Sequence, residues 1–257
     1  MSGAEAPLTA ATVPAVAQAF TIIDALAHST QPLRLTEVIE ETGLPKTTAY
    51  RLLKTLTDLG VVCREDRDFR LGSRLVRYGN AAVPNHTDLI GLFYALIGPL
   101  HQELDETVQL AVLTPPDITF LAFVDTSQPV RLATRIGRRL PAHASAAGKA
   151  ILAFSPIEVV EQVLTSGMRP VTSRTITDPA LLLRHLDQVR ARGWAFEAQE
   201  STNNLSCVAV PVLNRTGTAT AAITVCLPLP VLAVQRQRTL AAALSRFAGD
   251  LSHRLNN

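Results

Sequence analysis

Two apolar stripes at helical spacing dominate the first third of the chain. Leu35, Val38 and Ile39 form one, and Ala49, Leu52, Leu53 and Leu56 form the other, each with the i, i+3, i+4 recurrence of a helix packed on one face. Gly43 falls between them, where a left-handed backbone ends a helix at little cost. Pro45 suits the first turn of the second helix, where a missing N–H does no harm. The pattern predicts a helix-turn-helix over residues 35–59. Residues 13–27 supply a preceding helix that closes a three-helix core. Val61, Val62 and Cys63, then Phe69, Arg70 and Leu71, flank the polar run 64–68 and read as a small β-hairpin, a wing. Residues 75–82 have helical character, broken at Gly79, and Pro84-Asn85 follows as a junction.

A second pattern begins near Asp88. Residues 89–104 are strongly apolar and helical, with a kink expected at Gly98-Pro99. Strands are expected at 107–113, 119–124 and 130–135, with Pro115-Pro116-Asp117 turning between the first two. Helices follow at 147–153, 157–166 and 179–192. Two strands at 206–213 and 219–227 flank the turn 214–217, and a last helix runs from about 231 to 254. Hairpins bracketed by helices predict an α+β protein. Its winged helix-turn-helix spans 1–75 (1–12 an Ala-rich, disordered tail), a linker helix spans 76–87, and an antiparallel-sheet domain with helices packed on it spans 88–257.

Composition narrows the class. Of 257 residues 47% are hydrophobic and 18% charged, enough apolar material for one large or two moderate cores. No apolar run is long enough to span a membrane, and the N-terminus lacks the basic start and apolar stretch of a secretion signal, so a cytoplasmic location is expected. Cys63, Cys207 and Cys226 have neither disulfide-framework nor metal-ligand spacing and are expected to be reduced and buried. The six histidines are scattered. No metal and no cofactor is expected.

Charge adds what composition does not. Residues 46–77 hold eight basic and four acidic residues, a net +4, against +2 for the whole chain. The outward face of the second helix carries Lys46, Thr47, Thr48, Tyr50, Arg51 and Lys54. With Thr36 on the preceding helix and Arg64, Arg67 and Arg70 on the wing, these are candidate contacts to double-stranded operator DNA. Lys46, Thr47, Thr48 and Arg51 are placed to read bases, and Lys54, Arg64, Arg67 and Arg70 to hold phosphates. A solvated basic face is the alternative reading of the same residues.

Residues 143–149, HASAAGK, do not make a phosphate loop, because His143 stands where the first glycine belongs and Ala150 where a hydroxyl belongs. They read instead as a helix N-terminus with Ser145 as N-cap. Ala146, Ala147 and Gly148 leave room for a carboxylate to approach free N–H groups at the positive end of the helix dipole. Close helix–sheet packing would equally select these small residues.

Three stretches together resemble the IclR family, the isocitrate-lyase-regulator type of bacterial transcriptional regulator. They are GLPKTTAYRLLKTLTDLGVV followed by FRLGSRLVRYG, then RIGRRLPAHASAAGKAILAF, then RGWAFEAQESTNNLSCVAVPVLNRTGTATAAITVCLP. The resemblance runs from about Val13 to the last helix. It implies a winged helix-turn-helix, a linking helix and a GAF-like effector-binding domain. It also implies homo-oligomers, dimers or dimers of dimers, that repress or activate catabolic genes in response to small organic or aromatic acids; a repressor is expected here. Family effector positions fall on Glu197, Cys207, Thr224 and Cys226. Thr224 and Cys226 share one face of a strand, as wall residues of a pocket or as ordinary sheet interior. Glu197 stands where the family often has aspartate, and Cys226 where members that bind small keto acids have serine. A thiol hydrogen-bonds more weakly than a hydroxyl, which favours a more apolar, aromatic effector. Phe120, Leu121, Phe123, Arg131 and Arg135 are weaker candidates for lining, Arg135 or Arg138 is a candidate partner for an acid with solvated surface or a dimer contact the favoured alternative, and Trp194 is expected in a core or beside the pocket. The competing reading is a Cys-dependent hydrolase, with Cys207 as nucleophile, His143 as base and Glu197 as orienter.

Overall fold

The structure is a computed structural model of the chain. It describes residues 13–29, 31–82, 87–126 and 136–256. The tail 1–12, the Pro84-Asn85 junction, and the strand expected at 130–135 with Arg131 and Arg135 lie outside the described residues. Contacts divide the chain into two units, Met1–Pro84 and Asn85–Asn257. Among the described residues no helix is long and apolar enough to cross a membrane.

The first unit runs α1 (Pro14–His28), β1 (Leu33–Arg34), α2 (Leu35–Thr42), α3 (Lys46–Asp58), β2 (Val62–Glu65), β3 (Asp68–Leu71) and α4 (Arg74–Ala82). Ile22, Leu26, Val38, Leu53, Leu56, Val61, Val62 and Phe69 form its core, so both predicted stripes meet α1 and the wing. Burying one such side chain contributes roughly 1.5–3 kcal/mol. Gly43 ends α2 at φ +67°, its N–H bonded to the Ile39 carbonyl. Pro45 departs from expectation: it is the N-cap of α3, one position before the first helical turn, with extended ψ. Gly79 does not break α4, which continues through it; one helical glycine costs only about 1 kcal/mol. The two-residue β1, too short for any periodicity, pairs with β3 and makes the sheet three-stranded, β1-β3-β2.

The second unit runs α5 (Thr87–Leu104), β4 (Thr107–Thr114), β5 (Asp117–Val124), β6 (Arg139–Pro141), a 3-10 turn (Ala142–Ala144), α6 (Ala146–Ala153), α7 (Ile157–Thr165), α8 (Pro179–Arg192), β7 (Ala195–Ala198), β8 (Ser206–Leu213), β9 (Ala219–Leu227) and α9 (Val234–Leu255). Its six strands are antiparallel in the order β6-β5-β4-β9-β8-β7. The short strands β6 and β7 were not expected from the alternation, and both flank the site described below.

The strands other than β6 feed two cores because side chains alternate between faces. Val108, Leu110, Val208, Val210, Ile223 and Val225 face α5 and α9, where Phe93 and Phe247 stack edge to face. Ala111, Ile118, Phe120, Cys207, Ala209, Ala222 and Cys226 face α6, α7 and α8. The register of β4 against β5 shifts at Leu110/Ala111, so that Leu110 pairs with Ala122 and Ala111 with Phe120. That bulge leaves Phe120 on the α6 side, while Leu121 packs on the other core. The result is a sheet covered by helices on both faces, an α+β architecture.

Candidate functional site

The second unit holds a small cavity of about 30 Å³, partly open to solvent, between the start of α6 and the sheet. Ser145, Ala146, Ala147, Glu197, Cys207, Thr224 and Cys226 line it, as do the candidates Phe120 and Arg138. Leu121, Phe123 and Trp194 do not; Trp194 instead lies under the Arg192 guanidinium, 4.0 Å from its ring centroid. Sequence reasoning missed Gln109, Leu140, Ser201, Thr202 and Leu205. Gln109 carried a usable signal, as a lone amide in the otherwise apolar interior of β4.

The three small residues at the helix end differ in their surroundings. Ser145 Oγ caps α6 by accepting from the Gly148 N–H at 3.0 Å. Among the described residues, the Ala146 and Ala147 N–H groups have no hydrogen-bond partner, which leaves two donors at the dipole's positive end. Gly148 is a correction. Its N–H is taken by the cap, it does not line the cavity, and an added Cβ would sit 2.2 Å from the Ala142 carbonyl oxygen. Close packing against the 3-10 turn, rather than ligand approach, requires glycine there.

Across the sheet, register assembles the polar wall. Glu197 on β7 opposes Cys207 on β8, which opposes Cys226 on β9. Thr224 on β9 opposes Gln109 on β4. Because these positions share parity, all five face α6. Thr224 donates to the Val208 carbonyl at 3.1 Å, which leaves its oxygen able to accept. Cys207 donates to Cys226 Sγ at 3.0 Å, and Cys226 donates to Gln109 Oε1 at 3.7 Å.

Glu197 is pinned by the loop that follows it. Its Oε1 accepts from the Ser201 hydroxyl at 2.7 Å and its Oε2 from the Glu200 N–H at 2.8 Å. Burial raises its pKa, and those two donors oppose the rise. The loop is itself tied to α6, because Glu200 Oε1 accepts from Lys149 Nζ at 2.5 Å and Lys149 is fully buried. Burial pulls the Lys149 pKa down while the Glu200 carboxylate holds it up. This buried pair, invisible in the motif, joins the capped helix to the loop carrying Ser201, Thr202 and Leu205.

The hydrolase arrangement is not assembled. His143 does not line the cavity and bonds to the Arg169 carbonyl at 3.1 Å. The Cys207 thiol is pushed well above its usual pKa, by its hydrogen bond to Cys226 first and by burial second, which suppresses the thiolate a nucleophile needs.

In the first unit, Thr36, Lys46, Thr47, Tyr50, Arg51 and Lys54 are exposed and Thr48 is half-buried, all on α2 and α3. On the wing, Arg67 sits exposed in the turn between β2 and β3. Arg64 lies over the Phe69 ring and donates to the Asp66 carbonyl. Arg70 qualifies its predicted role, since its guanidinium is paired with Glu65 on the neighbouring strand. Cys63 is half-buried rather than buried.

Comparison with known proteins gives a consistent picture. The family described as bacterial transcriptional regulator IclR, C-terminal, matches residues 81–253, and the IclR helix-turn-helix domain matches residues 15–66. The HTH-type transcriptional regulator KdgR of Escherichia coli is 32% identical, over 93% of this chain and 92% of its own. The transcriptional repressor IclR of Escherichia coli is 29% identical, over 97% and 92%. The crystal structure of an IclR homologue from Microbacterium hydrocarbonoxydans, complexed with 4-hydroxybenzoate, superposes with a TM-score of 0.73 at 25% identity, covering 94% of this chain and 98% of that one. These relatives are regulators of transcription, not enzymes.

Proposed function

The chain belongs to the IclR family of bacterial transcriptional regulators, and from that premise we propose that it is a cytoplasmic repressor of a catabolic gene or operon, controlled by a small organic acid with an apolar, aromatic body. The observation that carries the ligand reading is the cavity itself. Two helix N-terminal amides without partners among the described residues suit a carboxylate, Phe120, Leu140 and Leu205 suit a ring, and Glu197, Gln109 and Thr224 can fix a further polar substituent. The 4-hydroxybenzoate complex of the Microbacterium homologue supports that class of effector, and the E. coli repressor supports the sense of regulation.

On DNA, α3 enters the major groove with Lys46, Thr47, Thr48 and Arg51 toward bases and Tyr50 and Thr36 beside them. Lys54, Arg64 and Arg67 hold phosphates, and Arg70 joins them only by leaving Glu65. Two copies of the chain, as a dimer or a dimer of dimers, read a near-palindromic operator. Ligand occupancy then shifts the balance between DNA-competent and incompetent arrangements. Arg51→Ala is expected to relax discrimination at one operator position by about 1–3 kcal/mol; unchanged discrimination removes Arg51 from the readers.

The test is a mobility shift with the gene's own upstream intergenic DNA, repeated with aliphatic and aromatic carboxylates. Release by aromatic acids in preference to glyoxylate or pyruvate supports the reading. Tighter response to the small keto acids overturns the effector class, and no specific DNA complex at low salt overturns the DNA role.

A further inference from the structure

The cavity wall holds two thiols rather than one. Cys207 and Cys226 are direct partners across β8 and β9, both buried, both lining the cavity, with sulfurs 3.0 Å apart and no bond between them. Residues directly opposite on antiparallel strands have Cα atoms about 4.5–5.5 Å apart, inside the ~4.4–6.8 Å that a disulfide spans. Closing the sulfurs to bonding distance therefore takes side-chain rotation and no slip of register. We propose that Cys207 and Cys226 are a redox-active dithiol in the cavity wall, oxidised to a disulfide by small hydroperoxides that enter the cavity and restored by thiol reductants.

The hydrogen-bond chain assigns the order of events. Cys207 donates its proton to Cys226 Sγ and holds that proton tightly, so Cys226 is the sulfur that meets the oxidant. Its sulfur attacks a peroxide oxygen, the O–O bond breaks, and the departing hydroxide leaves with the Cys226 proton as water. Cys226 is then a sulfenic acid. The Cys207 thiol condenses with it: its proton passes to the sulfenic hydroxyl as the S–S bond forms, so no free thiolate is needed and a second water leaves. Two thiols lose two electrons and one hydrogen peroxide becomes two waters. Oxidation also removes the donor that Cys226 offers Gln109 Oε1 and turns two hydrogen-bonding groups of the wall into an apolar bridge.

Cys63 provides an internal control, because it lies in the other unit. The reduced full chain, freed of reductant, is treated with hydrogen peroxide, unfolded, alkylated and weighed intact. The expected result is a fall from three alkylated cysteines to one, a mapped link between the peptides carrying Cys207 and Cys226, and recovery of all three after dithiothreitol. Cys63→Ser is expected to fall from two to none. Cys207→Ser and Cys226→Ser each abolish the link. Three alkylated cysteines surviving peroxide that oxidises free cysteine overturns the proposal, as does a link through Cys63 or oxidation that ends in irreversible sulfinic acid. The readout is thiol count, so it stands or falls independently of any DNA or effector binding.

Discussion

The two faces of the six-stranded sheet are built from the same strands and differ in every property that matters for function. Under α5 and α9 the face is mainly aliphatic and aromatic, with Ser206 of β8 and Gln237 of α9 as isolated buried polar side chains, and most of its groups only need to fill space. Under α6 the same strands bury Gln109, Glu197, Thr224 and two cysteines, each held by a named partner. Burying polar groups is unfavourable unless they are bonded, so a cluster of them on one face alone identifies where the fold gives up packing energy for recognition. The comparison also separates roles within α6: Gly148 is small for packing, while Ala146 and Ala147 are small beside open amides.

The largest way to break that contrast is at Lys149. Lys149→Met should cost about 3–5 kcal/mol in urea unfolding because it strands the buried Glu200 carboxylate. Adding Glu200→Gln should recover much of the loss, and a single-mutant cost below ~1 kcal/mol would mean that Glu200 reaches solvent. On the opposite face, Phe247→Ala should cost a similar ~3–5 kcal/mol but leave ligand response at the surviving folded fraction unchanged. An altered ligand preference there would show that the two faces are not separable. Ser145→Ala should cost only about 0.5–2 kcal/mol, yet weaken carboxylate binding, since the cap orients the first turn of α6; isothermal titration against the best carboxylate from the mobility-shift panel reads this directly.

The last contrast is confined to acid pH. Burial first, and the nearby Lys149 and Arg192 next, lower the His185 pKa from 6.5 to about 4. Between those values the unfolded chain binds the proton and the folded chain does not. The contribution of His185 to stability is therefore present above pH 6.5 and is lost as pH falls toward 4. His185→Gln should flatten that part of a stability-against-pH curve; an unchanged slope would assign it to other groups.

Much of the fold was legible because amphipathic periodicity is a local property. α3, α8, β8 and β9 emerge from spacing with bounds at or near those observed, and Ser145 emerges as a cap from its position before a run of small residues. The departures are short or contextual. β1, β6 and β7 span two to four residues and show no period of their own; pairing with a longer neighbour makes them strands. Glu197, Cys207, Thr224 and Cys226 were placed by resemblance, and their meeting in one cavity depends on strand register, which couples residues far apart in the chain.

By itself, then, the sequence determined the helices and longer strands, the basic face of α3 with its wing, and the family, since each is written in contiguous residues through periodicity, charge or motif. Only the tertiary structure decided that Lys149 pairs with Glu200, that Gly148 answers to Ala142, that Gln109 joins the wall, and that two of three cysteines face one another. Those are contacts between elements, and their energies exist only once burial has removed water from both partners.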